Sequence, residues 1–167
     1  MDTLKCFSLV CIILLFTSCD EYYKEDYSFD GIYLREWDSS ICPKKIVFEK
    51  YAKNSNLKNL IQKDSNFNIE GCNRSKSKFN QRIFTPSTLY SGQINYDIKL
   101  IIDDSLQYEI TNIKSKLDTT SFTFTLGRKY YIDNRIYSMM VNGHKLDNKD
   151  AKNNIWIPTK IGKIIKK

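Results

Sequence analysis

Ile94-Asn95-Tyr96-Asp97-Ile98-Lys99-Leu100-Ile101-Ile102-Asp103 decides the fold. Ile94, Tyr96, Ile98, Leu100 and Ile102 alternate with Asn95, Asp97, Lys99 and Asp103, the period of two that marks a half-buried β-strand. Asp103-Asp104-Ser105 then supplies a turn, because Asp and Ser side chains hydrogen-bond their own backbone. On the return, Leu106, Tyr108 and Ile110 alternate with Gln107, Glu109 and Thr111. After a polar break at 114–120, Phe122, Phe124 and Leu126 alternate with Ser121, Thr123 and Thr125, and Gly127-Arg128-Lys129 breaks that strand. Arg135 to Val141 runs into Asn142-Gly143, a type I′ hairpin signal, and His144-Lys145-Leu146 begins the next strand. Residues 154–158 and 160–165 close the chain as short strands, with Pro158 expected at a strand end or edge.

Toward the N-terminus, Gly31 to Trp37 and the β-branched, aromatic run Lys45 to Lys50 read as two more strands. Between residues 54 and 63 the period changes. Leu57, Leu60 and Ile61 fall at helical spacing, with Ser55 or Asn56 as N-cap, so one short helix is expected. Residues 71–82 read as an exposed basic loop and Thr85-Pro86-Ser87 as a turn. The sum is a mainly β fold: an antiparallel meander forming a small sandwich or curved sheet, with one short helix covering part of its apolar face. No internal repeat, low-complexity block or second domain is visible.

Before the first strand lies a different kind of segment. Lys5 supplies a positive charge, and Phe7 to Phe16 is a nearly unbroken apolar run of ten residues. That is half the roughly 20 residues a membrane-spanning helix needs and suits the apolar core of an export signal. Thr17, Ser18 and Cys19 follow, and the polar run Asp20 to Asp26 cannot continue a membrane helix. Phe16-Thr17-Ser18-Cys19 resembles the lipobox of bacterial lipoproteins, with Phe16 where the usual pattern prefers Leu. The resemblance implies removal of residues 1–18, lipidation of Cys19 and a location in the bacterial cell envelope, facing the periplasm or exposed at the surface. Each buried acyl methylene contributes about 0.8 kcal/mol, and two or more chains make such an anchor stable. Asp20 leaves the membrane open, since an acidic residue there is read as inner-membrane retention in some bacteria and as surface display in others. A plain cleaved secretory signal is the alternative. The expected organisation is a signal peptide over 1–18, an acidic tether over 19–30 and a single β-rich domain over 31–167.

An export address sets the cysteine arithmetic. Of five cysteines, Cys6 and Cys11 fall in the signal and Cys19 takes the lipid, leaving Cys42 and Cys72 as an expected disulfide in an oxidising compartment. Their spacing and the single histidine argue against a metal or redox pair. The charge balance is +7, unevenly spread. Residues 44–82 carry ten basic side chains against Glu49, Asp64 and Glu70, and Lys160, Lys163, Lys166 and Lys167 add to the tail. A basic face attracts anionic partners. Outside the cytoplasm these are acidic proteins, lipid head groups or acidic polysaccharide, and nucleic acid is excluded by the address. A Lys- and Asn-rich surface that merely maintains solubility is the competing explanation.

Catalytic chemistry finds little support. His144 sits beside a tight turn, away from any serine-acid arrangement of the hydrolase kind. Asp103-Asp104 reads as a turn rather than a carboxylate pair. The ligands for zinc are lacking at usable spacing, and the six glycines form no phosphate loop. Neither an enzyme, a metal nor a cofactor is expected. Arg, Tyr and Trp are the residues that anchor interfaces. They point to Arg74, Lys76, Lys78 and Arg82 on one loop, and to Arg128, Lys129, Tyr130 and Tyr131 on another, as partner-binding surfaces. The expected function is a non-enzymatic, membrane-anchored binding lipoprotein, in its sharpest form an inhibitor or immunity protein against a toxin acting in the periplasm. A structural or assembly lipoprotein of an envelope complex and a surface adhesin are the alternatives.

Overall fold

The computed structural model describes residues 21–24, 28–38, 40–70, 72, 81–88, 90, 92–124 and 127–165. In chain order the strands are β1 (Glu21–Lys24), β2 (Ile32–Arg35), β3 (Ile46–Ala52), β4 (Leu60–Asp64), β5 (Phe67–Glu70) and β6 (Gln81–Pro86). They continue with β7 (Tyr96–Ile102), β8 (Leu106–Phe124), β9 (Gly127–Val141), β10 (His144–Asp147), β11 (Ile155–Pro158) and β12 (Lys163–Ile164). Among the described residues strand dominates and helix is confined to short turns, so the mainly β, antiparallel, curved-sheet expectation holds.

The chain forms two compact units, Met1–Glu25 with Asp118–Asp133, and Asp26–Leu117 with Asn134–Lys167. In the smaller, β1 runs parallel to β9, Glu21 to Lys24 lying opposite Lys129 to Ile132. The larger holds two sheets. One follows the order β9-β8-β7-β3-β4, with β10 on β9 and β12 on β8; the other follows β11-β2-β6-β5. Their inner faces share one core. Ile98, Leu100 and Ile102 from β7 and Tyr108 and Ile110 from β8 meet Ile32, Leu34, Phe84, Ile155 and Ile157 from the smaller sheet, all essentially without solvent contact. Each such side chain contributes about 1.5–3 kcal/mol on burial. Phe29, Phe48 and Tyr90 pack together at centroid separations of 5.3 to 5.7 Å. Most pairings are antiparallel, but β11 runs parallel to β2, with Ile155 opposite Ile32.

Polar side chains fix the corners. Asp103 and Asp104 both take left-handed backbone angles, and Asp103 Oδ1 accepts the N–H groups of Lys44 and Lys45 at 2.8 Å each. The turn between β7 and β8 thereby grips the start of β3. At the expected hairpin, Asn142 (φ 48°) and Gly143 (φ 85°) are left-handed. Asn142 Oδ1 accepts the Glu109 N–H at 2.9 Å, and its Nδ2 donates to the carbonyls of Gln107 (3.1 Å) and Ile161 (2.8 Å). One side chain thus joins the hairpin, β8 and the C-terminal segment. Gly162 follows in that segment, where an added Cβ would lie 2.6 Å from Leu106 Cδ1 and 2.9 Å from the Tyr108 ring.

Several expectations are corrected. The short helix over 54–63 is absent: Asn54, Asn56 and Leu57 adopt left-handed angles that a right-handed helix cannot use, and β4 follows, paired with β3. Leu60 and Ile61 are 52% and 62% exposed, so the helical spacing did not mark a core face. Among the described residues the helical ones are the 3₁₀ turns Lys149–Ala151 and Thr159–Ile161. The polar break at 114–120 belongs to β8, whose Thr-rich outer part is strand-compatible although it alternates weakly. Gly127 begins β9 rather than ending a strand at a loop. Thr85 and Pro86 close β6, with the Ser87 N–H then bonding to Asn66 O. The acidic tether is partly structured: Glu21–Lys24 is a strand, and Ser28 and Phe29 are fully buried because Phe29 joins the aromatic core.

Candidate functional site

A left-handed residue inside a strand bends it away from its partner, as a β-bulge does. Asn112 does this in β8, with φ 51°. The β7–β8 register runs from Ile102–Leu106 to Ile98–Ile110, two residues short of Asn112. Where the strands part, the larger unit carries a cleft of two adjoining chambers of about 430 and 420 Å³ that share Lys53, Ile113 and Lys114. Asn112, Ser138, Met139, Met140 and Lys145 complete the first chamber. Gln93, Ile94, Asn95 and Ser115 complete the second.

Each wall is held by its own polar contacts. Lys53 opens the turn after β3, and the buried Asp97 carboxylate accepts the N–H of Asn54 at 3.0 Å, holding that turn against β7. The carbonyl of Gly92 accepts bonds from Ser28 Oγ (2.8 Å) and Asn134 Nδ2 (2.7 Å), which fixes the segment leading to Gln93 and Asn95. The β9–β10 hairpin sets Lys145 opposite Met140. The floor is apolar, with Ile113 and Met139 buried. Lys53, Lys114 and Lys145 are exposed, and among the described residues none of them sits in an ion pair and no carboxylate lines either chamber. Three positive charges thus stand around an apolar floor.

Several charges elsewhere are paired. Glu49 accepts a 2.7 Å bond from Tyr51 Oη and pairs with Lys63 at 3.0 Å. Burial pushes the Glu49 carboxyl up, but Tyr51 and Lys63 together outweigh it and hold it below its ordinary value. The Tyr51 hydroxyl is pushed up to about 12, first by burial and then by the adjoining carboxylate. Tyr90 Oη donates to Asp64 at 2.7 Å and lowers that acid, while the Lys50 ammonium stands 3.6 Å from the Tyr90 ring centre. Two of the tail cations are also engaged, Lys160 with Glu36 and Lys163 with Glu109.

Cys19, Arg74, Lys76 and Lys78 lie outside the described residues. Arg82 is no loop contact: it stands in β6 with 0% exposure. Its Nη2 donates to Ile41 O at 2.9 Å and its Nη1 reaches Glu70 O at 3.5 Å, beside the two ends of the Cys42–Cys72 disulfide, whose Cα atoms are 5.3 Å apart. Trp37 Nε1 donates to the same Ile41 carbonyl at 2.8 Å. A buried guanidinium serving two backbone carbonyls is a structural strut. Arg128, Lys129, Tyr130 and Tyr131 are consecutive on β9 in the smaller unit rather than on a loop, with Arg128 exposed and the other three half-buried. His144 is an exposed hairpin residue. Among the described residues no cluster of three or more His, Cys, Asp or Glu is placed to hold a metal ion, and no helix is long and apolar enough to cross a membrane.

The lysine cleft was missed because Lys53, Lys114 and Lys145 are remote in sequence, and the departure of β8 at Asn112 has no local sequence mark. Compared with known protein families, curated proteins and solved structures, the chain matches none.

Proposed function

We propose that this chain is an envelope lipoprotein, tethered through Cys19, that works by binding rather than catalysis and neutralises an acidic protein partner, in its sharpest form a toxin acting in the periplasm. The observation that carries the binding reading is the cleft: three lysines converge on it and no carboxylate lines it among the described residues. Electrostatic complementarity of this kind speeds encounter and selects partners of opposite sign. The location rests on the Phe16-Thr17-Ser18-Cys19 resemblance and fits a chain whose two remaining cysteines form a disulfide. Inhibition would be by occlusion. The basic surface covers an acidic region of the partner, and the acyl chains keep the protein where that partner arrives. Arg74, Lys76 and Lys78, together with Arg128 to Tyr131 on β9, are further contact surfaces in this reading.

The test is a pull-down. The full chain, extracted in neutral detergent and immobilised, is exposed to envelope and secreted fractions, and bound proteins are identified by mass spectrometry. One stoichiometric, acidic, secreted partner whose activity falls on binding is the expected result. A resident envelope complex would replace the inhibitor with an assembly role, and protease accessibility on intact cells with host-surface binding would replace it with adhesion.

A further inference from the structure

We infer that the two chambers around Lys53 and Lys114 act as one groove for an extended acidic peptide segment, with successive carboxylates met by different lysines; this rests on the binding reading above and names its ligand. Four features lead there. The chambers adjoin through shared residues, and each already has the volume of a small-molecule site, so together they exceed what a lone phosphate or sulfate fills. Lysines, not arginines, supply the charge. A lysine is a mobile point charge without the planar fork that clamps one phosphate, and it suits carboxylates whose positions vary along a chain. The floor of Ile113, Met139 and Met140 offers apolar, adaptable surface for the methylenes of Glu side chains. Asn112, Asn95 and Gln93 on the rim are exposed amides that can donate to and accept from a peptide backbone.

The experiment uses the full chain in neutral detergent. Fluorescence anisotropy follows a short labelled peptide alternating Glu and Ala, with its Gln analogue as the uncharged control. Two double variants of equal net charge are compared: Lys53→Gln/Lys114→Gln in the cleft, and Lys44→Gln/Lys58→Gln on exposed surface elsewhere. All four positions are exposed, so both variants should keep the parental unfolding temperature. The inference expects binding of the Glu peptide only, weakened about tenfold by the cleft variant and little by the other. Equal weakening by both variants overturns it, because the attraction is then one of overall charge. Displacement of the peptide by inorganic phosphate or a sulfated polysaccharide at lower concentration than by unlabelled peptide also overturns it. Repeating the pull-down with both proteins separates the two levels. A partner kept by the cleft variant preserves the binding function and removes this site, whereas a partner retained by the parent and lost by the cleft variant supports both.

Discussion

Replacing Cys42 and Cys72 together by serine removes a cross-link between residues 30 apart in sequence. The chain-entropy relation for a loop of that length gives about 12 cal/mol/K, or about 3.6 kcal/mol at 25 °C, lost through the unfolded state. The native side should change little. Arg82 continues to donate to Ile41 O and to reach Glu70 O, so both ends of the former bridge keep a common buried partner. At the 2–4 °C per kcal/mol expected for a chain of this size, the unfolding temperature should fall by about 7–14 °C. Circular dichroism on the full chain in detergent measures this, with oxidised parent, fully reduced parent and double variant compared side by side. Reduced parent and variant should coincide. A shift below about 3 °C would refute the entropic argument. A reduced parent that unfolds like the oxidised one, with both thiols shown to be labelled, would refute it equally, since the variant's loss would then come from serine packing.

Three further outcomes follow from the same structure. Gly162→Ala places a methyl against Leu106 and the Tyr108 ring and should cost about 1–3 kcal/mol in urea denaturation; an unchanged midpoint would show that the C-terminal segment is not packed there. Stability should fall at both ends of the pH scale. Glu49 titrates low in the fold, so its contribution is fully present above pH 4.5 and is lost as pH drops through the lowered value; Tyr51 titrates at about 12, so its contribution is fully present below pH 10 and is lost between pH 10 and about 12. Melting curves across pH should show both limbs, with Glu49→Gln flattening the acid one and Tyr51→Phe the alkaline one, and limbs unaltered by either change would sink the assignment. Cys19→Ala should move the protein from the membrane fraction to the soluble one and abolish acyl labelling, and labelling that persists would remove the lipid anchor.

What was legible in the sequence was local and periodic. Ile98, Leu100 and Ile102 declare a strand because they are fully buried on one face of β7 and most of the other face is only partly so. Asn142-Gly143 declares its turn because few residue pairs accept two left-handed conformations in succession. Where burial does not alternate, the signal fails. The 114–120 stretch of β8 is mostly solvent-exposed, so nothing forces an apolar period on it. Leu57, Leu60 and Ile61 gave a false helix because an edge strand can carry apolar residues that face water. Arg82 looked like a surface cation because its burial depends on two carbonyls set beside the disulfide, a purely tertiary fact. The cleft is illegible for the same reason: its three lysines are assembled by strands that diverge at one backbone angle.

The position of β2 bears on how the molecule is made. It lies between β6 and the parallel β11, and its contacts with the latter close across 123 residues, as in the Asp30–Asn153 pair. A chain emerging N-terminus first therefore presents Ile32 and Leu34 with one strand edge vacant until Pro158 has appeared. Long-range closure of this kind slows folding, and open edges recruit other chains while they wait. The interval of vulnerability is set by the time taken to deliver the 123 residues that separate the two partners, so maturation of this protein should be more sensitive to the pace of its delivery and to holding chaperones than its finished stability suggests.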